Sequence, residues 1–85
     1  MSKIVCAGFV KDRKNAGELT ALGFDVGEGG SGALHIKFKK PVGSNPPVVL
    51  ITSAVPGAPF VQHVSAAEFF VGNPTTAFSF AVIDA

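Results

Sequence analysis

Ala33-Leu34-His35-Ile36-Lys37-Phe38-Lys39-Lys40 alternates by chemistry: Leu34, Ile36 and Phe38 share one parity, and His35, Lys37 and Lys39 share the other. Successive side chains of an extended chain point to opposite faces, so a period of two describes a strand with one buried and one solvated side. Just upstream, Gly27-Glu28-Gly29-Gly30-Ser31-Gly32 separates this strand from Leu22-Gly23-Phe24-Asp25-Val26. That is the pattern of a hairpin closed by a flexible glycine turn, and the two segments are expected to pair antiparallel.

Downstream, Pro41-Val42-Gly43-Ser44-Asn45-Pro46-Pro47 lacks a backbone donor at each of its prolines and reads as a loop. Val48-Val49-Leu50-Ile51-Thr52 is apolar on both parities, the mark of a central strand with one face on the core and the other on a second layer or a neighbouring subunit. Pro56-Gly57-Ala58-Pro59 breaks the chain before Phe60 to Ser65. A turn near Ala66-Ala67 leads to Glu68-Phe69-Phe70-Val71, and Gly72-Asn73-Pro74 makes the next turn. In the last run, Ala77 to Ile83, Phe78, Phe80 and Val82 share one parity, and small residues with Ile83 occupy the other.

Toward the N-terminus, Ile4 to Val10 reads as a first strand. Asn15 with Glu18 three residues on, then Leu19, Leu22 and Gly23, has the spacing of a capped short helix, although Gly17 within it opposes that reading. About six or seven short strands joined by Gly and Pro turns predict an all-β fold, a small antiparallel β-sandwich occupying residues 1–85 as one domain.

Composition constrains the rest. Of 85 residues, 47% are hydrophobic and only 15% charged, against about a quarter charged in ordinary soluble domains, so an unusually apolar surface is expected. A domain this small gains little from its core against a conformational entropy cost of roughly 1.5 kcal/mol per residue, and such chains lean on disulfides, metals or oligomer contacts. Cys6 is the single cysteine, and His35 and His63 alone cannot complete a four-ligand zinc site. Self-association into a symmetric homo-oligomer is the expectation that remains.

A net charge of +1 gives no general field for nucleic acid. No stretch reaches the ~20 apolar residues of a membrane-spanning helix, and no membrane insertion is expected. Ile4 to Val10 is marginal for a secretory apolar segment, and Cys6-Ala7-Gly8 offers no credible cleavage site. Synthesis in the cytoplasm without a cleaved signal is the corresponding expectation.

No catalytic apparatus is legible. Gly27 to Gly32 fits the letters of the dinucleotide-binding pattern G-x-G-x-x-G, but a strand follows where that chemistry needs a helix N-terminus. No serine sits in a nucleophile elbow, and no acid neighbours a histidine in sequence. Cys6 between Val5 and Ala7 reads as a buried small hydrophobe, and the histidines as ordinary surface or partly buried residues. Lys11 to Lys14 and Lys37, Lys39 and Lys40 read as a solvated turn and a polar strand face. Asn73-Pro74-Thr75 is no glycosylation acceptor because of its proline. The chain is read as a non-enzyme without cofactor or metal.

There are eight phenylalanines and neither tryptophan nor tyrosine. Sugar sites commonly use aromatic rings with a polar edge, which Phe lacks, and Phe24, Phe38, Phe78 and Phe80 fall at core parity, which weighs against a lectin. An exposed Phe60 or one of Phe69 and Phe70 is free to serve a binding surface or a subunit contact. Should the chain bind a ligand such as a glycan, the polar loops Asp25 to Ser31, Gly43 to Asn45 and Asn73 to Thr76 offer the groups for it. The candidate ligand-binding residues are Asp25, Glu28, Ser31, Asn45, Asn73 and Thr75.

The order of Gly23-Phe24-Asp25-Val26, a glycine turn, Leu34 to Pro41, Pro46-Pro47-Val48-Val49-Leu50-Ile51-Thr52 and Ala77 to Val82 resembles a short β-sandwich module of bacterial and phage tail-fibre-like proteins. More distantly it is similar to H-type lectin domains. The resemblance covers residues 18 to 84 and rests on strand and turn features. It implies a trimer, or a dimer of trimers making a hexamer, with a noncatalytic role in adhesion, carbohydrate recognition or fibre architecture. It also implies a virion-associated or non-classically exported location. The sugar-binding residues of the lectins do not map onto this chain, so none is transferred.

Overall fold

A computed structural model describes residues 3–43 and 45–84. Every regular element among them is a strand: β1 (Lys3–Lys11), β2 (Lys14–Glu18), β3 (Phe24–Gly30), β4 (Ala33–Phe38), β5 (Val48–Ser53), β6 (Phe60–Gln62), β7 (Glu68–Gly72) and β8 (Ala77–Asp84). No helix is long and apolar enough to cross a membrane among these residues. The strands form two four-stranded sheets, one in the order β2-β1-β8-β5 and the other β3-β4-β7-β6. All neighbours run antiparallel, and the expected sandwich is observed with eight strands where about six or seven were expected.

The β3–β4 hairpin has the anticipated register, with Phe24 opposite Phe38 and Val26 opposite Ile36. Its turn is shorter than the glycine run suggests. β3 continues to Gly30, and only Ser31 and Gly32, at φ 52° and 82°, turn the chain. Left-handed conformations at both central residues match the right-handed twist of a two-residue hairpin. Asp12 and Arg13, at φ 52° and 64°, do the same between β1 and β2.

The extra strand is β2, on ground where the sequence permitted a helix cap. Asn15 and Glu18 do hydrogen-bond, but with each other and with β3. The Asn15 amide donates to Glu18 Oε2 at 3.0 Å and to the Phe24 carbonyl at 3.2 Å, and the Phe24 N–H donates to Glu18 Oε2 at 3.3 Å. A polar clamp between the two sheets thus uses the residues that would have capped a helix. Also corrected is the place of Val48 to Thr52: β5 is an edge strand paired only with β8, although Val49 and Ile51 do pack on the core. β6 stops at Gln62, since His63 takes a left-handed φ of 51° that interrupts the extended run to Ser65.

Between the sheets lie Cys6, Val10, Phe24, Leu34, Ile36, Phe38, Val42, Phe69, Val71, Phe78, Phe80 and Val82. Phe80 stands at the centre of an aromatic chain, edge-on to Phe24 at 4.8 Å and to Phe69 at 5.2 Å, and Phe69 meets Phe38 at 5.8 Å. The four phenylalanines expected inside are there. Cys6 is fully buried, and burial pushes its thiol pKa upward. The fold leaves two outer sheet faces, and these differ.

Candidate functional site: two outer sheet faces

On the first sheet the outward residues follow from register. β8 presents Ser79, Ala81 and Ile83, which lie opposite Thr52, Leu50 and Val48 of β5. On its other side β8 meets β1, where a bulge between Ile4 and Cys6 lets Ile4 and Ala7 face outward together. Leu19, just past β2, folds over Ala7, to whose carbonyl its N–H donates at 2.9 Å. Ile4, Leu19, Val48 and Leu50 are 57%, 74%, 54% and 55% exposed, although all are large and apolar. Ile4, Leu19 and Leu50 border a shallow depression of about 390 Å³ that also takes in Thr52, Ser79 and Ala81. No charged side chain interrupts it.

On the second sheet the outward parity carries Asp25, His35, Lys37, Glu68, Phe70, Phe60 and Gln62. His35 Nε2 donates to Glu68 Oε1 at 2.9 Å, because a carboxylate can only accept. The His35 ring stacks on Phe70 at 4.6 Å with planes 14° apart, and His63 meets the same Phe70 edge-on at 5.7 Å. Glu68 was invisible as a partner in the sequence, 33 residues from His35. Strand β7, beside β4, supplies it.

Glycines let these rings settle onto the sheet. A Cβ on Gly72 would lie 2.5 Å from the Phe60 ring, and one on Gly29 would lie 2.8 Å from Phe70. Phe60 therefore lies across Gly72, its cross-strand partner, with 50% of its surface open. Between the two phenylalanines is a cleft of about 430 Å³ whose polar side chains are Ser31, Gln62, His63 and Asn73.

Ser31 and Asn73, two of the six candidate residues, are thus brought together, although 42 positions separate them in the chain. The other four are not. Asp25 accepts from Lys39 Nζ at 2.8 Å, and Glu28 accepts from Arg13 Nε at 3.0 Å. The Arg13 guanidinium holds the Glu28 carboxyl below its ordinary range and is itself pushed up, while Asp25 raises Lys39. Thr75 shares a 2.7 Å hydroxyl contact with Ser53 and donates to the Ala77 carbonyl, so it pins a loop. Asn45 is exposed on the β4–β5 connection outside the cleft. Its neighbour Ser44, part of the same candidate loop, lies outside the described residues.

In the sequence Phe60 and one of Phe69 and Phe70 stand out as surface candidates and His63 reads as an ordinary histidine, and nothing there joins them as one site or adds Gln62. The available signal was parity: Phe60 and Gln62 share one side of β6, and Phe70 takes the opposite side of β7 from the buried Phe69. Among the described residues no group of three His, Cys, Asp or Glu side chains could hold a metal ion. Neither a protein-family model, nor a curated protein, nor a solved structure matches this chain.

Proposed function

We propose that this chain is a noncatalytic, self-assembling module with a structural or surface-binding role, and that a second copy of itself covers the outer face of the first sheet. The observation that carries the reading is the uncharged apolar face around Ile4, Leu19, Val48 and Leu50. The three strands β1, β8 and β5, about 4.8 Å apart and some 20 Å long, give a face of roughly 300 Å² in projection, at the scale of the largest apolar patches on monomers.

The chain's own accessible surface, 4835 Å², is close to the ~4,700 Å² expected of a compact monomer of its mass. Finished sandwiches docking by their faces fit that surface better than strands exchanged between chains. A face that meets the same face of a second copy pairs molecules in twos about a two-fold axis. Of the trimer and hexamer suggested by the tail-fibre resemblance, the hexamer as a dimer of trimers accommodates this pairing, as does a plain dimer.

Light scattering over a dilution series tests the assignment. A particle of two or six times 8.7 kDa that persists at low micromolar concentration supports face pairing. A particle of three times that mass leaves one face unpaired and overturns the assigned interface, and a monomer throughout overturns self-assembly itself.

A further inference from the structure

We infer that the cleft on the second sheet is a binding site for an uncharged carbohydrate ring, held between Phe60 and Phe70 and hydrogen-bonded by Ser31, Gln62, His63 and Asn73. It is separate from the assembly face, because the two lie on opposite outer surfaces of the sandwich.

Three independent features converge there. The first is backbone. Among the described residues five non-glycine positions have positive φ; two form the β1–β2 turn, and the other three, Ser31 at 52°, His63 at 51° and Asn73 at 49°, all line this cleft. That region is sparsely populated by L-residues with side chains, and its clustering marks sites where geometry is held for a purpose. Ser31 takes this conformation as part of the two-residue β3–β4 turn, and His63 and Asn73 take it just past the ends of β6 and β7, so three strand ends deliver it to one place.

The second feature is an aromatic platform that is both open and rigid. Phe60 keeps half its surface exposed across Gly72. Phe70 is fixed from one side by the stacked His35, itself oriented by Glu68, and from another by the edge of His63. An open apolar surface on a fixed support loses little entropy when a ligand covers it.

The third is the polar rim. Ser31 and His63 are exposed, and Gln62 is half-buried; their side chains make no hydrogen bond to the other described residues. Asn73 spends one amide hydrogen on the Ala58 carbonyl at 3.3 Å, leaving its oxygen free. Amides and hydroxyls both donate and accept, which suits adjacent ring hydroxyls that must do the same.

The chemistry selects the ligand class. No Lys, Arg, Asp or Glu lines the cleft, so a phosphate, carboxylate or ammonium ligand would find no counter-charge. A ligand with an apolar face and a polar edge can satisfy rings and rim together, and a pyranose has that form. At about 430 Å³ the open cleft falls in the lower part of the ~300–1,000 Å³ range of small-molecule sites. It suits one or two sugar rings bound weakly. When copies pair through their first sheets the clefts face outward in opposite directions, and weak sites presented together gain avidity.

Amide chemical shifts of the full chain, titrated with neutral glucosides, galactosides and N-acetylhexosaminides and with adenosine and sialyllactose as contrasts, test the inference. The expected result is saturable shifts at Ser31, Gln62, His63 and Asn73 with a neutral sugar. Phe60→Ala should weaken that binding about tenfold. Asn73→Gly, which keeps the left-handed backbone while removing the amide, should also weaken it. Leu50→Lys should leave the per-site affinity unchanged even where it dissociates the oligomer, so failure of the assembly reading and failure of this one are told apart. No saturable shift with any neutral sugar, shifts confined to another surface, or preference for adenosine or sialyllactose would overturn it.

Discussion

The outer faces of the two sheets are made by the same alternation and end in opposite chemistry. On the first sheet Ser79, Ala81 and Ile83 meet Thr52, Leu50 and Val48, so across β5 and β8 the outward parity is small or apolar, and charge enters only at the β1–β2 end with Lys11 and Lys14. On the second, Asp25 faces Lys37 across the β3–β4 pair and Glu68 faces Lys37 across the next, with His35 between Gly27 and Phe70. The second face satisfies itself in water through ion pairs and stacked rings. The first has almost nothing to offer water, and removing that apolar surface from solvent favours association. A sandwich needs only its inner parity to fold, so the outer parities were free to diverge, one largely apolar and one polar.

The largest way to break this contrast is to remove the core that holds both faces. Phe80 touches Phe24 and Phe69 and is 4% exposed, so Phe80→Ala should cost about 3–5 kcal/mol in urea unfolding and abolish association and ligand response together. Retention of either would show that its face does not depend on the common core.

Next in size is Leu50→Lys, which places a charge in the middle of the first face. Because a two-fold interface meets the change twice, association measured by sedimentation equilibrium should weaken about a hundredfold. Monomer stability should move by no more than about 0.5 kcal/mol, since Leu50 lies on the outer side of an edge strand.

A smaller change sharpens the other face. His35→Ala removes both the stack on Phe70 and the bond to Glu68, and about 0.5–1.5 kcal/mol of stability should go with them. Association should be unaltered. An equal loss in Phe70→Ala and no further loss in the double variant would identify the stack as the coupled unit.

The smallest expected effect is at the sheet margin. Glu28 has a lowered pKa through Arg13, so the contribution of this pair is present above the carboxyl's unfolded value and is lost as pH falls through the lowered folded value. Both groups are exposed, and the consequence should be local: lower amide protection factors around Asp12, Arg13 and Glu28 in acid, with little change in global unfolding. Glu28→Gln should show that lowered protection already at neutral pH and no further drop in protection factor on acidification.

Much of this is legible in the amino-acid sequence. The alternation of Leu34, Ile36 and Phe38 and of Phe78, Phe80 and Val82 determined strands and core, because parity along a strand is a local property. Proline and glycine placed the connections, since their backbone limits act residue by residue. Composition alone raised the expectation of an apolar surface. Where local signals compete, only the packed molecule decided: Asn15 and Glu18 can cap a helix or clamp a strand, and the nearness of β3 chose the clamp. The two-faced run Val48 to Thr52 reads the same at a sheet edge as at its centre, because strand order belongs to the topology. Ser31 and Asn73, and with them the cleft, could meet only once β3–β4 and β6–β7 stood side by side in one sheet. Pattern along a chain reports which way each side chain points, and the pairing of distant strands alone determines what it points at.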